Sequence, residues 1–130
     1  MLRRLAAVFL ALHGLVHWIG FAVPWGLMPA DHFTNGTTVL WGGVNIGESG
    51  ARFVALLWLP VLAAFLLAAY GVWRSASWSM PVTAMTAAAS LVICLLASPD
   101  AIIGDLVDVA ILAVVAAPSF RERTNVLGLR

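Results

Sequence analysis

Four apolar stretches, at about 5–23, 53–73, 80–97 and 101–117, take up most of this 130-residue chain. A helix needs about 20 mostly apolar residues to cross roughly 30 Å of hydrocarbon, and each stretch is near that length. Proline punctuates them: Pro24 follows the first, Ser98-Pro99 the third and Pro118 the fourth. Proline ends helices because it lacks an N–H and clashes with the preceding turn. Inside a span it is tolerated as a kink, so Pro60 is expected to bend the second. Hydrophobic residues are 62% of the chain and charged residues 10%, against about a quarter charged in a soluble domain. A soluble domain of this size has no room to hide so much apolar surface. The sequence therefore reads as a single all-α domain over 1–130, a four-helix transmembrane bundle whose natural solvent is lipid.

The loops orient it. Arg3 and Arg4 precede the first span, Arg74 lies between the second and third, and Arg121, Arg123 and Arg130 follow the fourth. An even number of spans puts these six on one face and leaves Arg52 on the other. The positive-inside rule then places both termini in the cytoplasm of a cell whose inner (plasma) membrane holds the chain. Trp25, Trp41, Trp73 and Trp78 fall near span ends, where amphipathic rings favour the interface. The first span resembles a signal peptide in its Arg3-Arg4 start. Its length, its two histidines and the lack of a small-x-small site before Pro24 favour an uncleaved span. The longest connection, 25–50, is glycine-rich and carries the Asn35-Gly36 turn signal. It reads as an extracytoplasmic loop capping the bundle, with 37–43 apolar enough to lie on the membrane surface or dip into the bundle mouth. Glu48, Arg52 and Asp100 mark the outer rim; Glu48 and Arg52 have the spacing of a helical ion pair, and solvation explains them equally.

Polar residues inside spans are the informative ones, since each costs free energy unless partnered. The first span carries His13 and His17 in the run LHGLVHWIGF, and the fourth carries Asp105 and Asp108. Spacings of four and three put each pair on one helix face, facing the bundle interior. Counting from Pro24 and Ala101 at about 1.5 Å per residue places His17 and Asp108 at the same depth, about 10 Å. That predicts a His17–Asp108 contact if the two helices touch, with Gly14 and Gly20 allowing close approach.

The cluster has several chemical readings. One is interhelical glue, a His donating to an Asp, which is common in membrane proteins and worth about 0.6 kcal/mol. A second is a metal site, because His at i and i+4 can share one ion with an Asp as third ligand. HxxxH alone lacks the glutamate of a zincin, and no cofactor is predicted beyond a metal at His13 and His17. Haem held by two histidines is disfavoured: two on one helix face cannot approach a porphyrin from both sides, and the remaining one, His32, is in the loop. A third is proton or small-solute movement through groups that titrate near neutrality, but no ionisable residue continues the path from His13 inward. Cys94 reads as a small packing residue; alone, it forms no intrachain disulfide or thiolate cluster. Ser90, Thr83 and Thr86 are expected to bond back to their own helix carbonyls. Met28, Phe33 and Trp41 read as lid packing. No basic cluster with aromatics suggests nucleic acid, and no nucleotide or nucleophile-elbow motif is present.

His13-Gly14-Leu15-Val16-His17, followed by Gly20-Phe21, resembles the first helix of an uncharacterised family of short bacterial four-span integral membrane proteins. Leu57-Trp58-Leu59 in the second span and Asp100-Ala101-Ile102-Ile103-Gly104 before the fourth extend the resemblance over nearly the whole chain. The family pattern has an amide where this chain has Asp108, which favours glue over a relay. Some members carry transporter-permease labels. The architecture is also similar to DoxX-like four-helix membrane proteins. The expectation is a non-enzymatic, structural or accessory membrane module, in contact with lipid and acting with a second copy or a partner membrane protein. The alternative is a transporter component or a metal- or redox-cofactor-binding protein using His13, His17 and Asp108.

Overall fold

The computed structural model describes residues 1–29 and 36–117. His32, Phe33, Asn35, Pro118 and the arginines at 121, 123 and 130 lie outside them. The chain runs α1 (Leu2–Ala22), β1 (Thr38–Val39), β2 (Val44–Asn45), α2 (Gly47–Leu56), α3 (Trp58–Arg74), α4 (Ser79–Ala97) and α5 (Ile102–Ala116). Helix dominates, as expected. Three helices are long and apolar enough to cross a membrane: Leu2–Ala22, Gly47–Arg74 taken through its break, and Ser79–Ala97. The fourth predicted span forms a helix too, but its 15 described residues reach only about 22 Å, short of the other three.

The second span differs from its prediction in a way its proline explains. Helix begins at Gly47 rather than near Phe53 and is interrupted at Leu57, between α2 and α3. Pro60 has no N–H to offer the carbonyl four residues back, that of Leu56, so the ladder opens one turn ahead of the proline.

Helix ends are shaped by backbone rather than side-chain caps. After α1, Gly26 takes φ +68° while Leu27 N–H bonds Ala22 C=O and Gly26 N–H bonds Val23 C=O. This is a Schellman turn, and it satisfies the last carbonyls of the helix end, Ala22 and Val23. The same pattern closes α3: Ser75 takes φ 56°, Ala76 N–H bonds Gly71 C=O, and Ser75 N–H bonds Val72 C=O.

α1 packs along α3, α3 on α4, and α4 on α5, the order expected of an up-and-down bundle with short connections. Leu10, Trp58, Val61, Phe65, Ala68, Ala87, Ile93, Cys94 and Ile111 build the core. Glycines set the spacing. A Cβ at Gly14 would stand 2.7 Å from Phe65 Cβ, and one at Gly20 would stand 2.5 Å from the Trp58 ring. On the far side, a Cβ at Gly104 would meet Cys94 Sγ at 2.8 Å, so α5 lies close on α4 and Cys94 is the packing residue it was read to be.

The connection between α1 and α2 contains an element the sequence did not announce. Thr38↔Asn45 and Val39↔Val44 pair as a two-stranded antiparallel hairpin. Its tip places Leu40 and Trp41 at φ 53° and 60°, a left-handed conformation that is strained for bulky side chains. In return, Leu40 N–H bonds Leu96 C=O and Trp41 N–H bonds Ser98 C=O, both at 2.9 Å. These are carbonyls at the end of α4, which a helix terminus leaves without partners. The segment 37–43 thus docks on the end of α4, with Val39 buried beneath it.

Candidate functional site

The polar residues predicted inside the spans do converge in the interior. His17 is 4% exposed, Asp105 8% and Asp108 0%. Against them stands an aromatic wall from α3. The His13 ring meets Phe65 edge-on at 4.8 Å, and the His17 ring meets Trp58 at 5.3 Å. The two imidazoles cross nearly at right angles, 4.9 Å apart.

The pairing differs from the predicted one. His13, not His17, bonds Asp108, with Nε2 3.0 Å from Oδ1. The shift is one helical turn, about 6 Å. The depth count treated Ala101 as level with Pro24, and the observed pairing instead sets the α4–α5 turn about one turn deeper. Nor do the two helices need to pack together. α1 lies on α3 and α5 on α4, and the His13 and Asp108 side chains span the gap.

His17 is fixed at both nitrogens. Its Nδ1 lies 2.9 Å from His13 C=O, and a carbonyl only accepts, so Nδ1 carries the proton. Nε2 of the neutral ring is then an acceptor, and Ser90 Oγ donates to it at 2.7 Å. Ser90 was expected to bond back to its own helix. Thr83 does so, donating to Ser79 C=O at 2.8 Å, but Ser90 reaches across to α1. Cys94 Sγ lies 3.9 Å from Ser90 Oγ. The chain of donors runs from Ser90 to His17 to the α1 backbone.

Asp105 is held separately. Ser98 Oγ donates to Asp105 Oδ2 at 2.6 Å and also lies 3.1 Å from Cys94 C=O. Among the described residues, the buried carboxylate oxygens Asp105 Oδ1 and Asp108 Oδ2 have no hydrogen-bond partner. Such groups are rare because each carries a desolvation penalty of about 1–3 kcal/mol. One donor atom from each of His13, His17 and Asp108 lies within 4.8 Å of one from each of the others.

Ser90 and Ser98 are the site residues that sequence reasoning passed over. They belong to a buried stripe on α4: Ser79, Thr83, Thr86, Ser90, Cys94 and Ser98. Steps of three and four along one helix were the signal. At the outer rim, Glu48 sits in the first turn of α2, where a negative charge suits the helix dipole. Arg52 lies over the Trp25 ring at 6.0 Å rather than pairing with Glu48, so solvation is the better reading of that acid. Asp100 is partly buried in the α4–α5 turn. At the opposite end of the bundle, Arg3 donates to Ser75 Oγ and Arg4 lies over the Trp73 ring at 5.6 Å.

No protein-family model, curated protein or solved structure matches this chain.

Proposed function

We propose that the chain is a multi-pass integral membrane protein of the plasma membrane, with four spans and both termini cytoplasmic. Its role is structural or accessory rather than enzymatic, and it works with a second copy or a partner membrane protein. Membership of the short four-span family whose first helix reads HGLxHxxGF is part of this proposal. The membrane assignment is supported by an inverted polarity. Leu12, Leu15, Val16, Leu67, Val92, Leu106 and Val109 face outward, each about half exposed or more, while His17, Ser90, Asp105 and Asp108 are inside. The orientation is supported by the meeting of Arg3 and Arg4 with the α3–α4 turn, which gathers them with Arg74 at one end.

The observation that carries the functional reading is direct closure of the polar cluster. His13 on α1 meets Asp108 on α5, and His17 on α1 meets Ser90 on α4. The cluster ties the first helix to the last two, which it scarcely touches otherwise, and so sets the register of the bundle. Each such bond is worth about 0.6 kcal/mol in a membrane protein, rising to about 1.7 in the best cases. His17→Asn and Asp108→Asn are each expected to lower the melting temperature in detergent while membrane insertion is retained. Unchanged melting in both variants would refute the structural role.

A further inference from the structure

The hydrogen bonds that tie α1 to α4 and α5 leave one acceptor over. Asp108 is 0% exposed, yet its Oδ2 has no hydrogen-bond partner among the described residues. Beside it stand two imidazoles whose donor atoms lie within 4.8 Å of each other and of the carboxylate. We propose that His13, His17 and Asp108 bind a divalent transition-metal ion of the zinc class. The proposal rests on the same cluster as the structural reading but makes a separate claim about it.

The donor set fits that class. Two imidazoles and one carboxylate are a recurrent zinc ligand set, with the fourth position left to water or another small ligand. His17 is already turned for the task. Metal-ligating histidines commonly donate their other ring N–H to a carbonyl, which fixes the tautomer and aims the lone pair. Nδ1–H of His17 does this on His13 C=O, leaving Nε2 as the ligating atom. In the metal-free protein the Ser90 hydroxyl fills that role as a donor to Nε2, and the His13–Asp108 bond joins the other two ligands at 3.0 Å. Ligands of a tetrahedral zinc ion lie about 3.3 Å apart. Loading therefore asks the wider-spaced donors to draw in by rotating side chains, with Ser90 displaced and the Nε2 proton that His13 donates to Asp108 moved to its Nδ1 or released to solvent.

The test uses the full-length protein with no histidine tag, purified in detergent, treated with chelator and titrated with Co²⁺. Visible d–d absorption is expected to saturate near about one ion per chain and to vanish on addition of Zn²⁺. Asp108→Asn keeps the shape of the site and should weaken binding at least about tenfold, while His17→Ala should abolish it. Ser90→Ala separates the two claims. It removes a bond of the structural cluster but only a competitor of the metal, so melting of the metal-free protein should fall while Co²⁺ binding stays or tightens. Absence of absorption from wild-type protein that is monodisperse and helical would overturn the proposal. So would absorption undiminished in the His13→Ala/His17→Ala double variant, which would put the ion elsewhere. Should His17→Ala fail to fold, Asp108→Asn carries the comparison. Loss of Co²⁺ binding with normal melting refutes the structural role alone, and normal Co²⁺-free behaviour with no binding refutes the metal alone.

Discussion

The two sides of the bundle are joined by different physics. α1 meets α3 through shape: Gly14 admits the Phe65 side chain, Gly20 admits the Trp58 ring, and Phe65 is fully buried between them. α4 meets α5 through chemistry: Ser98, at the end of α4, donates to the buried Asp105 of α5 at 2.6 Å. Without hydrophobic driving force between helices in lipid, both are workable solutions, one by close van der Waals contact and one by hydrogen bonds. The difference teaches where each seam is vulnerable. The first tolerates a change of polarity better than a change of volume, and the second the reverse. The histidines belong to the first seam by position and to the second by bonding, which is how one becomes answerable to the other.

The largest effect should come from adding volume to the shape-fitted seam. Gly14→Leu would drive carbon into Phe65 and the α3 backbone, and overpacking of this kind costs about 1–3 kcal/mol, occasionally more. Thermal melts in detergent should place it below every polar variant, and a melt near wild type would mean that the α1–α3 seam is not glycine-limited. Next is Ser98→Ala in the chemical seam. It strips Asp105 of its buried donor at almost no change in volume, with an expected loss of about 1–2 kcal/mol; the matching small-to-small change Ala87→Ser on α4 gives a scale for the melt. The smallest effect sharpens the comparison. Gly104→Ala brings a methyl against Cys94 Sγ, for about 1 kcal/mol, and Cys94→Ala should restore much of it. Rescue would show that even the chemical seam has one point decided by volume. Strict additivity of the two changes would show that it has none.

Much of this was legible in the residues. Apolar runs and prolines gave the helices, and the close-approach role of Gly14 and Gly20 followed from their place beside the histidines. His13, His17 and Asp108 were singled out because hydrocarbon makes polar groups conspicuous. What was not legible was register. The depth count needed to know how far the α4–α5 turn sits below the end of α1, which no residue type records, and the hairpin whose tip bonds Leu96 and Ser98 through backbone N–H groups was equally hidden. Backbone bonds leave no trace in side-chain identity, and Leu40 and Trp41 give no hint of a left-handed turn that glycine or asparagine would have signalled. Ser90 and Ser98 were overlooked for the opposite reason. Serine in a helix has a ready partner in its own backbone, so only a neighbour from another helix distinguishes the two uses.

The bonds from α1 also impose an order in time. His13 and Asp108 are 95 residues apart, and His17 and Ser90 are 73 apart. The histidines leave the ribosome first, and on the membrane reading they enter lipid while neither partner has yet been synthesised. α3, with Trp58 and Phe65 at the ring faces, arrives next and can shelter them but offers them no hydrogen bond. α4 then brings Ser90, and only α5, the helix that carries two aspartates, supplies the last acceptor. The aspartates in turn meet a donor already waiting inside the membrane. On that reading, insertion of the final helix and completion of the polar core are one event, and a chain cut short before α5 would lack the Asp108 carboxylate that His13 bonds.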